Sequence, residues 1–388
     1  MRRTLAAVMV LALLMLGSDA AAAVHLPYSS KPTSALWELY DPELHYWYQQ
    51  LTEAEKTLFS ARYDCIALGR AELWNYPCGR MTLQNRERID YALMMDCPEL
   101  LYYPHAETPD LLRYGRIQAP DETFCAQHAA MLPDMLAECM AVLDAIRRQP
   151  EWGETDFEKE IATDRFLVHH CMYEPDIDEY TTERLLELDG GQQTAYGALV
   201  RGRAICSGYA SAMALAMRCF GVPCLCTTGY YYPGDGAAVG HEWNIIRIGG
   251  EWTHEDVTFN DADDEAYTED YFPCTNLTST EVFRILSDDL IKAGMKLRNP
   301  LSTSDRNNYY IRKGQTLGAD WQAEAVRRVQ DAHDAGRHAI GFRMLERAAF
   351  EEAVLMIDSQ DLSVFSGLAF PVTVDYDRQA RVLYISWK

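Results

Sequence analysis

Residues 204–220 read Ala-Ile-Cys-Ser-Gly-Tyr-Ala-Ser-Ala-Met-Ala-Leu-Ala-Met-Arg-Cys-Phe, with Arg218 as the single charged residue. This composition predicts a helix buried on nearly all sides, because a surface helix needs a polar face. Cys206 lies at its start, where unpaired N–H groups and the helix dipole favour thiolate and can stabilise an oxyanion. Cys206 is therefore a candidate nucleophile, and we expect Gly202 and Gly208 to leave room beside its thiol for a substrate carbonyl group.

Two strand-like runs follow, residues 242–248 and 251–257, and a Gly-Gly pair at 249–250 joins them. Adjacent glycines favour a two-residue hairpin turn. Counting outward from that turn makes His241 and Asp256 diagonal neighbours, with Cβ atoms about 7 Å apart. An aspartate at this distance can orient an imidazole that acts as a base.

Strand alternation separates Asp256 from its polar neighbours. Trp243 is predicted on the same face as His241 and Asp256, whereas Glu242, Asn244 and Glu255 point to the opposite face. His254 shares the face of His241 but lies about four residues further along the ladder. Asp256 is therefore the predicted partner of His241.

Three segments, in this order, resemble the core motifs of transglutaminase-like domains, which are papain-fold enzymes with a Cys-His-Asp triad. They are Cys206-Ser-Gly-Tyr-Ala210, Gly240-His-Glu-Trp-Asn244 and Trp252-Thr-His-Glu-Asp256. Residues 195–206 are similar to the approach to the nucleophile in bacterial exported members. Glu242 stands where an alanine is usual in the family.

The resemblance implies a role for each residue of the triad. Cys206 would attack an amide carbonyl, His241 would shuttle the proton, and Asp256 would orient the imidazole. Tyr196 or Trp243 either completes the oxyanion hole or is a packing aromatic residue, and the sequence leaves both open. Hydrolysis and transfer to an amine share the acyl-enzyme, so the residues do not separate them.

The predicted fold class is α+β, in three parts after a leader. A helical region covers residues 36–150. A papain-like, transglutaminase-like core, with the nucleophile helix packed on an antiparallel sheet, covers 154–285. A small α+β domain covers 300–388, with a helix at 321–335, a strand at 338–344, a helix at 346–357 and a hairpin at 371–387.

Residues 1–23 are predicted to be a signal peptide, and the protein is therefore expected to be secreted. Arg2 and Arg3 precede an apolar run at 5–16 and a small-residue zone at 20–23. The apolar run is too short for a permanent membrane span, and we expect no span in the mature chain. The expected partner is a peptide or protein substrate, with cell-wall peptide as one candidate.

Charge and cysteine content exclude or limit other functions. The net charge of -23 argues against nucleic acid as a partner, since phosphate binding needs clustered Lys and Arg. Eleven cysteines leave at least one thiol unpaired, and both five disulfides and a mostly reduced set remain open. No matched Cys or His pairs occur at zinc-site spacing, so we expect no structural metal and no cofactor. The alternative to an enzyme is a binding module for extracellular peptides or wall components that keeps the triad without turnover.

Overall fold

The structure is a computed structural model that describes residues 28–102, 119–174, 191–231, 239–261, 271–282, 285–286, 296–378 and 380–387. The predicted signal peptide lies outside the described residues. The chain divides into two compact units: residues 1–247 with 285–300 form the first, and residues 248–284 with 301–388 form the second.

The first unit is mainly helical in its described part. Its helices are α1 (Tyr46–Gln49), α2 (Glu53–Leu68), α3 (Leu83–Asp96), α4 (Glu122–Ile146), α5 (Asp156–His170) and α6 (Cys206–Cys219). Sequence-encoded caps fix several of these helix starts. Thr52 and Glu55 form a capping box at α2, and Thr155 and Glu158 form another at α5.

Strands are fewer and shorter. They are β1 (Met172–Tyr173), β2 (Arg203–Ala204), β3 (Cys224–Tyr231), β4 (Val239–Ile248), β5 (Glu251–Glu255), β6 (Thr275–Leu277), β7 (Ile285–Leu286), β8 (Thr316–Leu317), β9 (Ala339–Met344), β10 (Val372–Asp377) and β11 (Val382–Trp387). In the first unit β3 pairs antiparallel with β4 and with β7, and β1 pairs parallel with β2. The mixture of helices and strands confirms the predicted α+β class.

Helix α6 packs on the sheet formed by β3 and β4, and every residue from Ser207 to Arg218 is buried. Asn244 on β4 donates from Nδ2 to the carbonyl oxygen of Ala210 at 2.9 Å, and Cys226 on β3 donates to the same oxygen at 3.4 Å. The prediction of a helix buried on nearly all sides is confirmed.

Arg218 connects this core to the N-terminal helices. Its Nε donates to the carbonyl oxygen of Cys224 at 2.7 Å, and its guanidinium also reaches the Tyr40 hydroxyl at 3.2 Å. It pairs with Asp96 at 3.4 Å, with both side chains fully buried. Because an unpaired buried charge is costly, this network ties the helical region to the sheet.

The second unit contains β5 paired with β6, and a four-stranded sheet in the order β10-β11-β9-β8. Its helices are α7 (Val257–Asn260), α8 (Tyr309–Arg312), α9 (Trp321–Asp334) and α10 (Arg347–Asp358). The core between α9, α10 and the four-stranded sheet includes Trp321, Phe342, Phe350 and Leu383. No described helix of the chain combines the length and the apolar composition needed to cross a membrane.

Candidate active site

Cys206 is the first residue of α6, and its thiol is partly exposed whereas the residues after it are buried. The residue before it, Ile205, is extended (φ -101°, ψ -178°) and has no side-chain acceptor for the first-turn N–H groups. A helix start without a side-chain cap leaves N–H donors for another acceptor. The prediction that Cys206 lies at the start of this helix is confirmed.

The two glycines near this thiol have a different role from the one expected. A Cβ atom on Gly208 would lie 2.3 Å from the carbonyl oxygen of Gln192, and one on Gly202 would lie 2.9 Å from the carbonyl oxygen of His170. Gly202 also has a positive φ of 66°. At both glycines the space of a missing side chain is occupied by a backbone carbonyl group of the protein itself. The expectation that they leave space for a substrate is therefore not supported.

His241 lies on β4, directly opposite Gly229 of β3, and is 7% exposed. Its ring is nearly parallel to that of Trp243, with ring centroids 6.1 Å apart. Side chains alternate along a strand, so these two residues share one face and Glu242 shares the other with Asn244. The contact of Asn244 with Ala210 shows that the face of Glu242 is the one that meets α6.

Glu242 is the residue that sequence reasoning treated only as a departure from the family. It is 4% exposed, and its Oε2 has no hydrogen-bond partner among the described residues. Burial raises its pKa well above the ordinary range, the Cys206 sulfur raises it further, and His241 opposes this. Cys206 and His241 thus both act on the pKa of this one buried carboxyl group.

The signal that could have revealed Glu242 is its position two residues before Asn244. Once α6 is known to cover the Asn244 face of β4, Glu242 must also face the helix, because residues two apart on a strand point to the same side. Sequence alone did not show which face α6 covers.

Asp256 follows β5 in the second unit and is 4% exposed. Its Oδ1 accepts a hydrogen bond from the N–H of Phe259 at 3.3 Å and thereby caps α7. The neighbouring Glu255 accepts from Asn260 at 3.1 Å, and His254 lies 3.2 Å from the Ser279 hydroxyl. The assignment of Asp256 as the partner of His241 stays a prediction from strand counting.

The two candidate oxyanion residues are both buried. The Tyr196 hydroxyl donates to Glu138 on α4 at 2.7 Å, and the Arg201 guanidinium lies 5.5 Å from the Tyr196 ring centroid. Trp243 is 2% exposed. Their oxyanion role stays a prediction, and for Tyr196 it would require the hydroxyl to leave Glu138.

One family model matches the part of the chain that contains the candidate site. The model of the transglutaminase-like superfamily matches residues 145–257, a range that contains Cys206, His241 and Asp256. These residues therefore include a transglutaminase-like domain of the cysteine-enzyme type. No curated protein sequence matches the chain.

Two solved structures are similar to part of the chain. One is the crystal structure of a TGase, at 16% identity and a TM-score of 0.27, over 39% of this chain and 36% of that one. The other is a "Putative Cysteine Protease" from Cytophaga hutchinsonii, at 17% identity and a TM-score of 0.25, over 31% of this chain and 37% of that one. The chain thus spans just over a third of the length of each.

Proposed function

We propose that this protein is an exported cysteine enzyme that acts on amide bonds of peptides or proteins through a thiolate acyl-enzyme. The observation that carries the proposal is the position of Cys206 at a helix start without a side-chain cap. Both Cys206 and His241 also act on the pKa of the buried Glu242 carboxyl group. A helix N-terminus favours the thiolate, which is the nucleophilic form of cysteine.

In the proposed reaction the Cys206 sulfur attacks the amide carbonyl carbon, and the first-turn N–H groups of α6 stabilise the oxyanion. His241 takes the proton of the Cys206 thiol and delivers it to the leaving amine as the C–N bond breaks. Water or a second amine then attacks the thioester and gives a proton to His241, which returns it to the Cys206 sulfur as the C–S bond breaks. Asp256 orients His241 in this scheme, on the basis of the strand counting and the family resemblance.

The first test is the reactivity of the thiol. Iodoacetamide at neutral pH, followed by peptide mass spectrometry, should label Cys206 faster than an ordinary exposed thiol, and His241→Ala should slow this labelling. Cys219→Ala is the matched control, because Cys219 lies at the other end of the same helix. Labelling no faster than that of a free cysteine peptide would contradict an activated nucleophile.

The second test is turnover on peptides and on glutamine-containing peptides, with and without an added amine. Cys206→Ala should abolish both cleavage and amine incorporation, whereas Cys219→Ala should keep them. The ratio of free acid to amide product distinguishes hydrolysis from transfer. Binding of a peptide at equal affinity by the parent and Cys206→Ala, with no turnover by either, would favour the binding-module alternative.

Export has its own test. Expression of the full chain in a bacterium, followed by N-terminal sequencing of the protein outside the cytoplasm, should give a start after the small-residue zone at 20–23. Retention of the full-length chain in the cytoplasm would contradict this part of the proposal.

A further inference from the structure

A second group of reactive side chains lies next to α1 and α3, outside the segments that carry Cys206 and His241. His45 precedes α1, and Cys97 and Glu99 follow α3. One donor atom of each residue lies within 4.8 Å of the other two. All three are buried, with exposed fractions of 0%, 2% and 0% respectively.

The histidine ring is held in one orientation with one nitrogen left over. Its Nδ1 lies 3.1 Å from the carbonyl oxygen of Pro42, which can only accept, so Nδ1 carries a hydrogen and donates it. The ring is stacked on Trp37 with centroids 3.7 Å apart. Nε2 is therefore the ring nitrogen left for a further partner, and Glu99 Oε1 lies 3.5 Å from it.

The separation of His45 and Glu99 is compatible with two ligands of one ion. His45 Nε2 lies 3.5 Å from Glu99 Oε1, beyond the range of about 2.7–3.2 Å for a well-formed N–H···O bond. Ligands at about 2.0–2.2 Å from a tetrahedral zinc ion stand about 3.4 Å apart. The observed separation is close to that ligand spacing.

The surroundings are also suited to a divalent cation. Glu99 is fixed by the hydroxyl groups of Tyr63, at 3.0 Å, and of Tyr40. The nearby charges of Asp96 and Arg218 offset one another as a buried pair. A zinc ion bound here would displace the proton of Cys97, and the resulting thiolate with the Glu99 carboxylate would carry two negative charges, which equal the charge of Zn²⁺.

We propose that His45, Cys97 and Glu99 bind one zinc ion as its three protein ligands. Nitrogen and sulfur donors favour zinc over magnesium or calcium, which prefer oxygen ligands. Binding replaces the S–H bond of Cys97 by an S–Zn bond and releases the proton to water. Sequence inspection missed the site because His45 is far from Cys97 in the chain and no paired spacing marks it.

The test uses the full chain with Cys206→Ala as background, so that the candidate active-site thiol cannot bind the metal. Protein purified from zinc-containing medium is desalted, and its zinc content is measured by elemental analysis. The same protein, stripped and loaded with Co²⁺, is examined for a sulfur-to-cobalt charge-transfer band. Cys97→Ser removes the proposed sulfur ligand, and Cys139→Ser is the control because Cys139 is also fully buried.

The background protein and Cys139→Ser should each contain one zinc per chain and show a cobalt–sulfur band. Cys97→Ser should show no band and should lose zinc affinity at least tenfold. If the background protein retains no zinc and shows no band, the proposal is wrong and His45 and Glu99 are only a buried pair. Full zinc content in a folded Cys97→Ser variant would also overturn it. If Cys97→Ser fails to fold, the zinc content and cobalt spectrum of the background protein decide. Because Cys206 is absent, none of these outcomes depends on the proposed enzymatic function.

Discussion

The carboxyl group of Glu242, buried on the face of β4 that meets α6, interacts electrostatically with Cys206, the first residue of that helix. Burial raises the pKa of Glu242 well above its ordinary value of 4.5. Glu242 is therefore neutral over a range of pH in which an exposed glutamate is charged. Its ionisation at higher pH places a negative charge near Cys206, and a negative charge disfavours the thiolate.

Glu242→Gln should therefore make Cys206 more reactive at high pH. The variant cannot ionise, so its iodoacetamide labelling rate should exceed that of the parent by about threefold to tenfold above the pKa of Glu242, with equal rates at lower pH. Peptide mass spectrometry of the Cys206 peptide across pH gives both profiles. Glu122→Gln, on the exposed start of α4, is the control and should match the parent. Identical profiles for Glu242→Gln and the parent would show that the charge of Glu242 does not affect the reactivity of Cys206.

The same carboxyl group should make stability depend on pH. Its pKa is raised in the folded state, so the unfolded chain ionises first as pH increases. The contribution to stability is fully present below about pH 4.5 and is lost as pH rises toward the folded pKa, at about 1.4 kcal/mol per unit. Chemical denaturation should show this loss in the parent and not in Glu242→Gln. A constant difference between the two proteins across that range would contradict the assignment.

The sequence predicted those features that depend on local pattern. The helix expected at 321–335 and the strand expected at 338–344 occur as Trp321–Asp334 and Ala339–Met344. Both follow from amphipathic or alternating periodicity, a pattern that depends on the local sequence alone. The buried helix that begins at Cys206 was predictable because it lacks a polar face.

Features that depend on which elements meet in space were not predictable. Helix α4 (Glu122–Ile146) contains Pro133, a residue that local propensity keeps out of helix interiors because it lacks the N–H for a hydrogen bond. The roles of Gly208 and Glu242 depend on which backbone and which helix approach them. Strand counting gives a face for each residue but does not identify what covers that face.

Asn244 should be important for holding α6 on the sheet. It is 1% exposed and donates to the Ala210 carbonyl oxygen at 2.9 Å. Asn244→Ala leaves that buried carbonyl with a weaker donor and opens a cavity, so the free energy of unfolding should fall by about 1–3 kcal/mol. Denaturant titration measures this, with the exposed Asn75→Ala as control, for which a change within about 0.5 kcal/mol is expected. Equal losses in both variants would argue against a specific role of the contact.

Gly208 should tolerate no side chain. A Cβ atom there would meet the Gln192 carbonyl oxygen at 2.3 Å and the Ala204 Cβ at 2.7 Å. Gly208→Ala must displace this backbone, so it should cost about 1–3 kcal/mol of stability and slow the labelling of Cys206. Gly318→Ala is the control, since a Cβ at Gly318 meets nothing within 4 Å. Unchanged stability in Gly208→Ala would contradict the role assigned to this close approach.

The cysteine pair that oxidation should join is Cys65 on α2 with Cys125 on α4. All eleven cysteines are free thiols in the structure, and the sulfur atoms of this pair lie 3.6 Å apart. Oxidised glutathione should convert the two thiols to one disulfide, with release of two reduced glutathione molecules. The 60-residue separation makes the added stability as much as about 4 kcal/mol. Non-reducing peptide mapping should find this link in the parent and in Cys139→Ser but not in Cys65→Ser. If Cys65 and Cys125 stay reduced under conditions in which other cysteines pair, this assignment is wrong and the two sulfur atoms are packing neighbours only.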